Sequence, residues 1–172
     1  FGGDSFLSKE NLWPHLPELV DGMLQFYRGL LPDFITAHYA DGGYAAALMF
    51  KKTGIPFSFT GHSLGAQKLD KLGTTIDNWL SMENRFKFSK RLAAERISMK
   101  YAAKIMVSTQ QEMDEQYVHP LYISLLDQFD KTKFEIIPPG VNENIFSQTP
   151  ALTDKILKQK LDAIFGINGG PV

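Results

Sequence analysis

Cysteine is absent from the chain, which excludes disulfides, thiolate zinc sites and a cysteine nucleophile, and is compatible with a reducing compartment. An excess of one charge is missing as well. The 18 basic and 19 acidic residues leave a formal net charge of −1, so the bulk balance points to neither nucleic acid nor an anionic membrane, and any basic site must be local. No apolar run approaches the ~20 residues of a membrane helix, and neither a signal-peptide nor a transit-peptide pattern is present. The G-x-G-x-x-G spacing of a dinucleotide site is absent. His15, His38, His62 and His119 show no metal-ligand spacing, so neither a metal nor a cofactor is expected. There is no internal repeat and no low-complexity segment.

What is present suits one packed core: 172 residues, 44% of them hydrophobic. The chain opens on Phe1-Gly2-Gly3 and ends in a glycine-rich stretch from Gly166. That reads as an interior piece of a longer protein, closing on a loose linker.

Helix and strand signals alternate. From Leu16, the positions Leu19, Val20, Met23, Tyr27 and Leu30 recur at three- and four-residue steps, with Pro17 tolerable in the first turn. Phe34 to Thr36 reads as a strand running into His38-Tyr39-Ala40-Asp41-Gly42-Gly43, where Asp41 suits an N-cap and the glycines would admit a ligand to the backbone. An alanine-rich helix from Tyr44 to Lys52 is closed by Gly54, and a strand follows over Phe57 to Thr60. Glu83 to Tyr101 is the longest helical candidate, with Phe86, Ala93 and Ile97 toward a core. Lys104 to Val107 is a strand, Thr109 to Glu112 a capping box, Phe134 to Ile137 a strand, and Pro150 opens a last helix to Phe165. Such alternation implies a parallel sheet with right-handed crossovers and helices on both faces.

The chemistry concentrates where strands give way to helices. Gly61-His62-Ser63-Leu64-Gly65 matches the nucleophile elbow of serine hydrolases and would make Ser63 a nucleophile. Against that, Gln67, Lys68, Asp70 and Lys71 load the following helix with polar groups, and His119, the one histidine downstream, sits at a helix end. The plainer alternative is that Gly61 and Gly65 only shape a loop. His38 reads equally as a histidine satisfied inside the fold or as a functional one. Lys87, Lys90 and Arg91 lie at i, i+3 and i+4, a cluster a phosphate would relieve, yet Glu83 and Glu95 can pair with Lys87 and Arg91 as an ordinary solvated face. Lys68 falls within one turn of Gly65, where peptide N–H groups and an ammonium together suit an anion.

At these residues the sequence resembles the sucrose-phosphate synthases, the bacterial ones especially. The resemblance is carried by FGGDSFLSKENLWPHL (Phe1 to Leu16), HYADGG (His38 to Gly43), PFSFTGHSLGAQKL (Pro56 to Leu69), RFKFSKRLAAER (Arg85 to Arg96), IMVSTQQE (Ile105 to Glu112) and IPPGVN (Ile137 to Asn142). It implies an α/β, Rossmann-like parallel sheet flanked by helices, the incomplete N-terminal half of a GT-B type retaining glycosyltransferase. Residues 1–141 would be a partial acceptor-binding domain and 142–172 a linker and helix toward a missing C-terminal donor domain. The implied reaction transfers glucose from UDP-glucose to fructose 6-phosphate, in the cytoplasm. His62 would face the donor sugar as the catalytic residue, Tyr39 and Ser63 would contact the acceptor, and Lys68 and Arg91 would hold its 6-phosphate. Lys90 would assist, and Lys87 would stay solvated. A mannosylfructose-phosphate synthase, with the same acceptor and a GDP-sugar donor, is the alternative within the class; a serine hydrolase using Ser63 is the alternative outside it.

Overall fold

Four short strands, β1 (Ile35–His38), β2 (Phe57–Thr60), β3 (Lys104–Val107) and β4 (Phe134–Ile136), pair in parallel in the order of the sequence. The register sets Ala37 beside Phe59, Phe59 beside Ile105 and Val107 beside Ile136. The computed structural model describes residues 3–126, 131–142, 149 and 152–166. The chain divides into two compact units, Phe1–Pro138 and Pro139–Val172. The second holds the helix Leu152–Phe165, whose start lies two residues past Pro150, outside the described residues.

Side chains alternate across a strand, so one face of the sheet carries Ala37, Phe57, Phe59, Ile105 and Val107, all buried. Against that face pack Ala46 and Ala47 of α3 (Tyr39–Thr53), Met99 of α6 (Phe88–Tyr101) and Tyr122 of α8 (Pro120–Leu126). The connecting helices thus share one side of the sheet, as right-handed crossovers between consecutive neighbours require. Among the described residues, the expectation of helices on both faces is not met. The other face carries Thr36 and Glu135, exposed, Lys104 and Met106, half-buried, and Ser58, buried at its centre.

Between these come α1 (Lys9–Leu12), a 3-10 turn at Trp13–His15, α2 (Leu16–Tyr27), α4 (Gly65–Lys71), α5 (Trp79–Phe86) and α7 (Gln110–Glu112), which runs into a π turn at Met113–Tyr117. Helix α2 starts with its proline in the first turn, and Val20 packs on Ala45 and Met49 of α3. Trp13, Leu16, Ala40 and Ala94 form a further cluster. The alanines of α3 let its neighbours approach closely, and Gly43 takes this furthest. A Cβ there would lie 2.8 Å from the ring of Phe59 and would strike the Ser98 hydroxyl.

Three details depart from the sequence reading. Helix α3 starts at Tyr39, not Tyr44, so Asp41 lies in its first turn, paired with Lys9 at 3.7 Å, and is not the N-cap. Its glycines are helical, and Gly43 receives a helix rather than a ligand. The single helix expected over Glu83 to Tyr101 is two, broken at Lys87 in the left-handed region (φ 50°). That conformation costs about 1–2 kcal/mol, comparable to what full burial of Phe88 contributes, roughly 1.5–3 kcal/mol. Glu83 accepts from the Ser89 N–H (2.9 Å) across the break instead of pairing with Lys87. The buried side of α6 is Phe88, Ala94, Glu95, Ser98 and Met99, whereas Ala93 is exposed and Phe86 and Ile97 are half-buried.

Gly43→Ala is expected to lower stability by about 1–3 kcal/mol through overpacking, read as a lower urea midpoint. Gly42→Ala, with open space around its Cβ, should instead stabilise by about 0.4–1 kcal/mol.

Candidate functional site

Strand β2 ends at Thr60, and the chain turns through Gly61 to Leu64 into α4. Each glycine of the turn has a packing reason. A Cβ on Gly61 would meet Leu64 at 2.6 Å and the Tyr117 hydroxyl at 2.9 Å; one on Gly65 would meet Glu95 at 3.0 Å and Arg91 at 3.1 Å. The close approach lets side chains reach the peptide groups. Gly61 N–H donates to the Tyr117 hydroxyl (3.2 Å), and Ala66 N–H to the Tyr122 hydroxyl (3.2 Å). Gly65 N–H donates to both oxygens of Glu95, at 2.9 and 3.0 Å.

Glu95 is the hub of this arrangement. Its carboxylate is 1% exposed, accepts from Arg91 Nε at 3.0 Å, and takes a short hydrogen bond from the Tyr122 hydroxyl. Burial pushes its pKa up from the ordinary carboxylate value; Tyr122, Arg91 and the Gly65 N–H oppose that. Both tyrosines are fully buried, and their phenols are pushed well above the usual range by that burial. They stay neutral and act as fixed dipoles. The ion pair of Arg91 with Glu95 expected from spacing is formed, but inside the protein and not on a solvated face.

Arg91 carries the network outward. Its Nη2 donates to the Ser63 carbonyl (2.6 Å) and reaches the Ser63 hydroxyl at 3.3 Å, while Nη1 has no partner among the described residues. Lys68 lies on the same first turns of α4, its ammonium 4.5 Å from the centre of the Phe86 ring. It too has no acidic partner among the described residues. Lys90 faces elsewhere, lining a groove of about 400 Å³ with Trp13, Pro14 and Tyr44.

The remaining predicted residues meet at the ends of β1 and β2. Tyr39 (φ 61°) and His62 (φ 57°) both hold left-handed backbone conformations, which only a surrounding structure maintains in bulky residues. Their rings lie 4.6 Å apart, and His38 Nδ1 is 2.9 Å from His62 Nε2. In a neutral pair one nitrogen donates and the other accepts. The structure thus brings His38, Tyr39 and His62 together and links Ser63 to Arg91, while Lys68 sits against Phe86 on the helix that follows the turn.

No histidine faces Ser63. Its hydroxyl is engaged by Arg91, His62 by His38, and His119 by Asp70 (3.2 Å) and the Leu121 N–H. The strained residue of the turn is His62, not the serine. A hydrolytic relay is not formed, which removes the serine-hydrolase alternative.

The family model describing the first GT-B domain of sucrose synthase matches residues 4–164. The chain belongs to this GT-B family. A probable sucrose-phosphate synthase of Thermosipho melanesiensis is 50% identical over 165 residues, 95% of this chain and 37% of that protein. Sucrose-phosphate synthase 1 of Arabidopsis thaliana is 35% identical over 144 residues, 74% of this chain and 13% of that protein. The chain therefore spans well under half the length of these relatives. In fold, this GT-B domain is similar to a sucrose-phosphate synthase of Thermosynechococcus elongatus, with a TM-score of 0.65, 17% identity, and coverage of 92% of this chain and 35% of that one.

Sequence reasoning missed Tyr117 and Tyr122, and it placed Glu95, paired with Arg91, on a solvated face. The signal for Glu95 was its place four residues after Arg91 and next to Ala94, on the side that also carries Ser98 and Met99; a polar residue there reads as solvent-facing unless its partners are known. Since the folded pKa of Glu95 is raised, its contribution to stability is present below the unfolded value and fades as pH rises through the folded one. The stability difference between wild type and Glu95→Gln should therefore move in favour of wild type as pH falls from neutral toward the ordinary carboxylate range, measured by urea unfolding across that window.

Proposed function

We propose that this chain is the acceptor side of a retaining glycosyltransferase that moves glucose from UDP-glucose to fructose 6-phosphate, giving sucrose 6-phosphate and UDP. The observation that carries the reading is that the Arg91 guanidinium is pinned to the Ser63 end of the turn with Nη1 unpartnered among the described residues, on the same turn that holds the His62 imidazole and leads into the helix of Lys68. Residues 1–141 form part of the acceptor domain, and residues 142–172 lead toward a donor domain. The relatives' names and the 50% identity support the reaction class. No described helix is long and apolar enough to cross a membrane, which agrees with soluble substrates in the cytoplasm.

In this reading Lys68 and the Nη1 edge of Arg91 take the 6-phosphate. The two cations and the turn's peptide dipoles give it several charge-assisted contacts. Ser63 and Tyr39 contact the fructose. His62, with Nε2 against His38, presents the rest of its ring to the donor sugar. As the bond to UDP breaks, positive charge develops on the sugar and negative charge on the leaving phosphate, and donors held in place lower that barrier. The groups that neutralise the leaving diphosphate belong to the donor domain.

Calorimetry of the chain against fructose and fructose 6-phosphate tests this. Hydrogen bonds to charged groups contribute about 1.5–3 kcal/mol each, so fructose 6-phosphate should bind roughly 10- to 100-fold more tightly than fructose, and Arg91→Ala should remove most of that difference. Equal affinity for the two sugars would refute the assignment. The chain alone is also expected to show no UDP-glucose turnover in a UDP-release assay.

A further inference from the structure

The buried groups behind the turn account for more than its shape. Arg91 reaches the surface from a helix whose next turn is inside the protein, and a long guanidinium side chain at such a place has several rotamers open to it. Here two of its nitrogens are engaged. Glu95 takes Nε at 3.0 Å and Ser63 takes Nη2 at 2.6 Å, which together use one whole edge of the planar fork. The edge that remains is the one carrying Nη1.

Glu95 is itself held. Gly65 N–H fixes it from α4, and the Tyr122 hydroxyl fixes it from α8 while accepting from Ala66 N–H. Arg96, the next residue of α6, donates to the Leu121 carbonyl and to the Ser124 hydroxyl (3.2 Å), so α8 is tied to α6 on either side of Tyr122. A carboxylate taken this far from water is costly unless every oxygen is matched, and both oxygens of Glu95 are matched.

We infer that Glu95 and Tyr122 are positioning residues: they aim the free edge of Arg91 and thereby set the preference of the site for a phosphorylated over an unphosphorylated ketohexose. The inference rests on the acceptor assignment above. Neither residue touches the sugar phosphate. Each acts through Arg91, with the charge supplied by Glu95 and its orientation by the Tyr122 hydroxyl. Pairing with Glu95 also offsets part of the charge of Arg91, so removing the carboxylate has two opposed effects: a stronger bare cation and a looser one. Because the cation is anchored at two of its three nitrogens and bound anions must meet the third, the loss of aim outweighs the gain in charge.

The test compares wild type with Glu95→Gln, Tyr122→Phe and Tyr117→Phe. The last removes an equally buried hydroxyl that holds Gly61 instead of Glu95. For each, the ratio of affinities for fructose 6-phosphate and fructose is measured by calorimetry, beside the urea midpoint. The ratio should fall roughly tenfold in Glu95→Gln, the equivalent of about 1.4 kcal/mol. It should fall severalfold in Tyr122→Phe and stay within twofold in Tyr117→Phe, although all three lower the midpoint. A ratio unchanged in the first two variants, or falling equally in Tyr117→Phe, would overturn the inference. Solvent exchange of the Arg91 Nε proton, followed by NMR without ligand, separates this from the acceptor reading. If wild type did not distinguish the sugars, the acceptor reading would fail, while slow exchange in wild type that quickens in Tyr122→Phe would still establish the positioning. Equal exchange rates would refute that as well.

Discussion

A single carboxylate, sealed from water, holds the first unit's polar end together. Glu95 takes hydrogen bonds from α4, from its own helix and from α8, three elements that approach the sheet separately. In the low-dielectric interior those bonds are strong only while all are made. The turn after β2, the start of α4 and the seating of α8 are therefore coupled through one group. The two glycines of the turn are part of the same constraint, because a side chain at either would occupy the space through which the partners reach the backbone.

The candidate site lies at the carboxyl ends of two strands and not in a cleft between the helices. Strands β1 and β2 end side by side, with His38 in register with Thr60, so the residues that follow them are delivered to one place. Open parallel sheets place their ligands beyond the carboxyl ends of the strands. The left-handed conformations at Tyr39 and His62 turn two aromatic rings toward each other at that edge, and the strain is held by the packing beneath.

Much of this could be read from the residues, and the failures share a cause. Strand β3 and the start of α2 lie where their patterns place them, because β-branched runs and three-to-four periodicity record burial directly. The closure of α3 by Gly54 is equally legible, since that residue alone meets the left-handed requirement without strain. The break at Lys87 is not, because no glycine or proline marks it and the reward is the burial of Phe88, a tertiary effect. The core side of α6 was misplaced for a related reason. Glu95 and Ser98 are buried, and a pattern that scores polarity as exposure turns the helix the wrong way. Tyr117 and Tyr122 anchor the turn from more than fifty residues downstream, a relation that no local spacing expresses. His62, Ser63, Lys68 and Arg91 stand out because they lie on or beside motifs; the buried groups that hold the turn and Arg91 do not.

The order of the strands bears on how the chain gets to this structure. Every strand pairs with its nearest neighbour in sequence, so each new pairing closes the shortest loop on offer, and a growing chain can add one layer at a time as it leaves the ribosome. The exception is the polar hub, whose last contributor, Tyr122, arrives only after β3 is in place. The first three strands can thus pair before Arg91 is held, and the hub closes when α8 docks, ahead of the fourth strand.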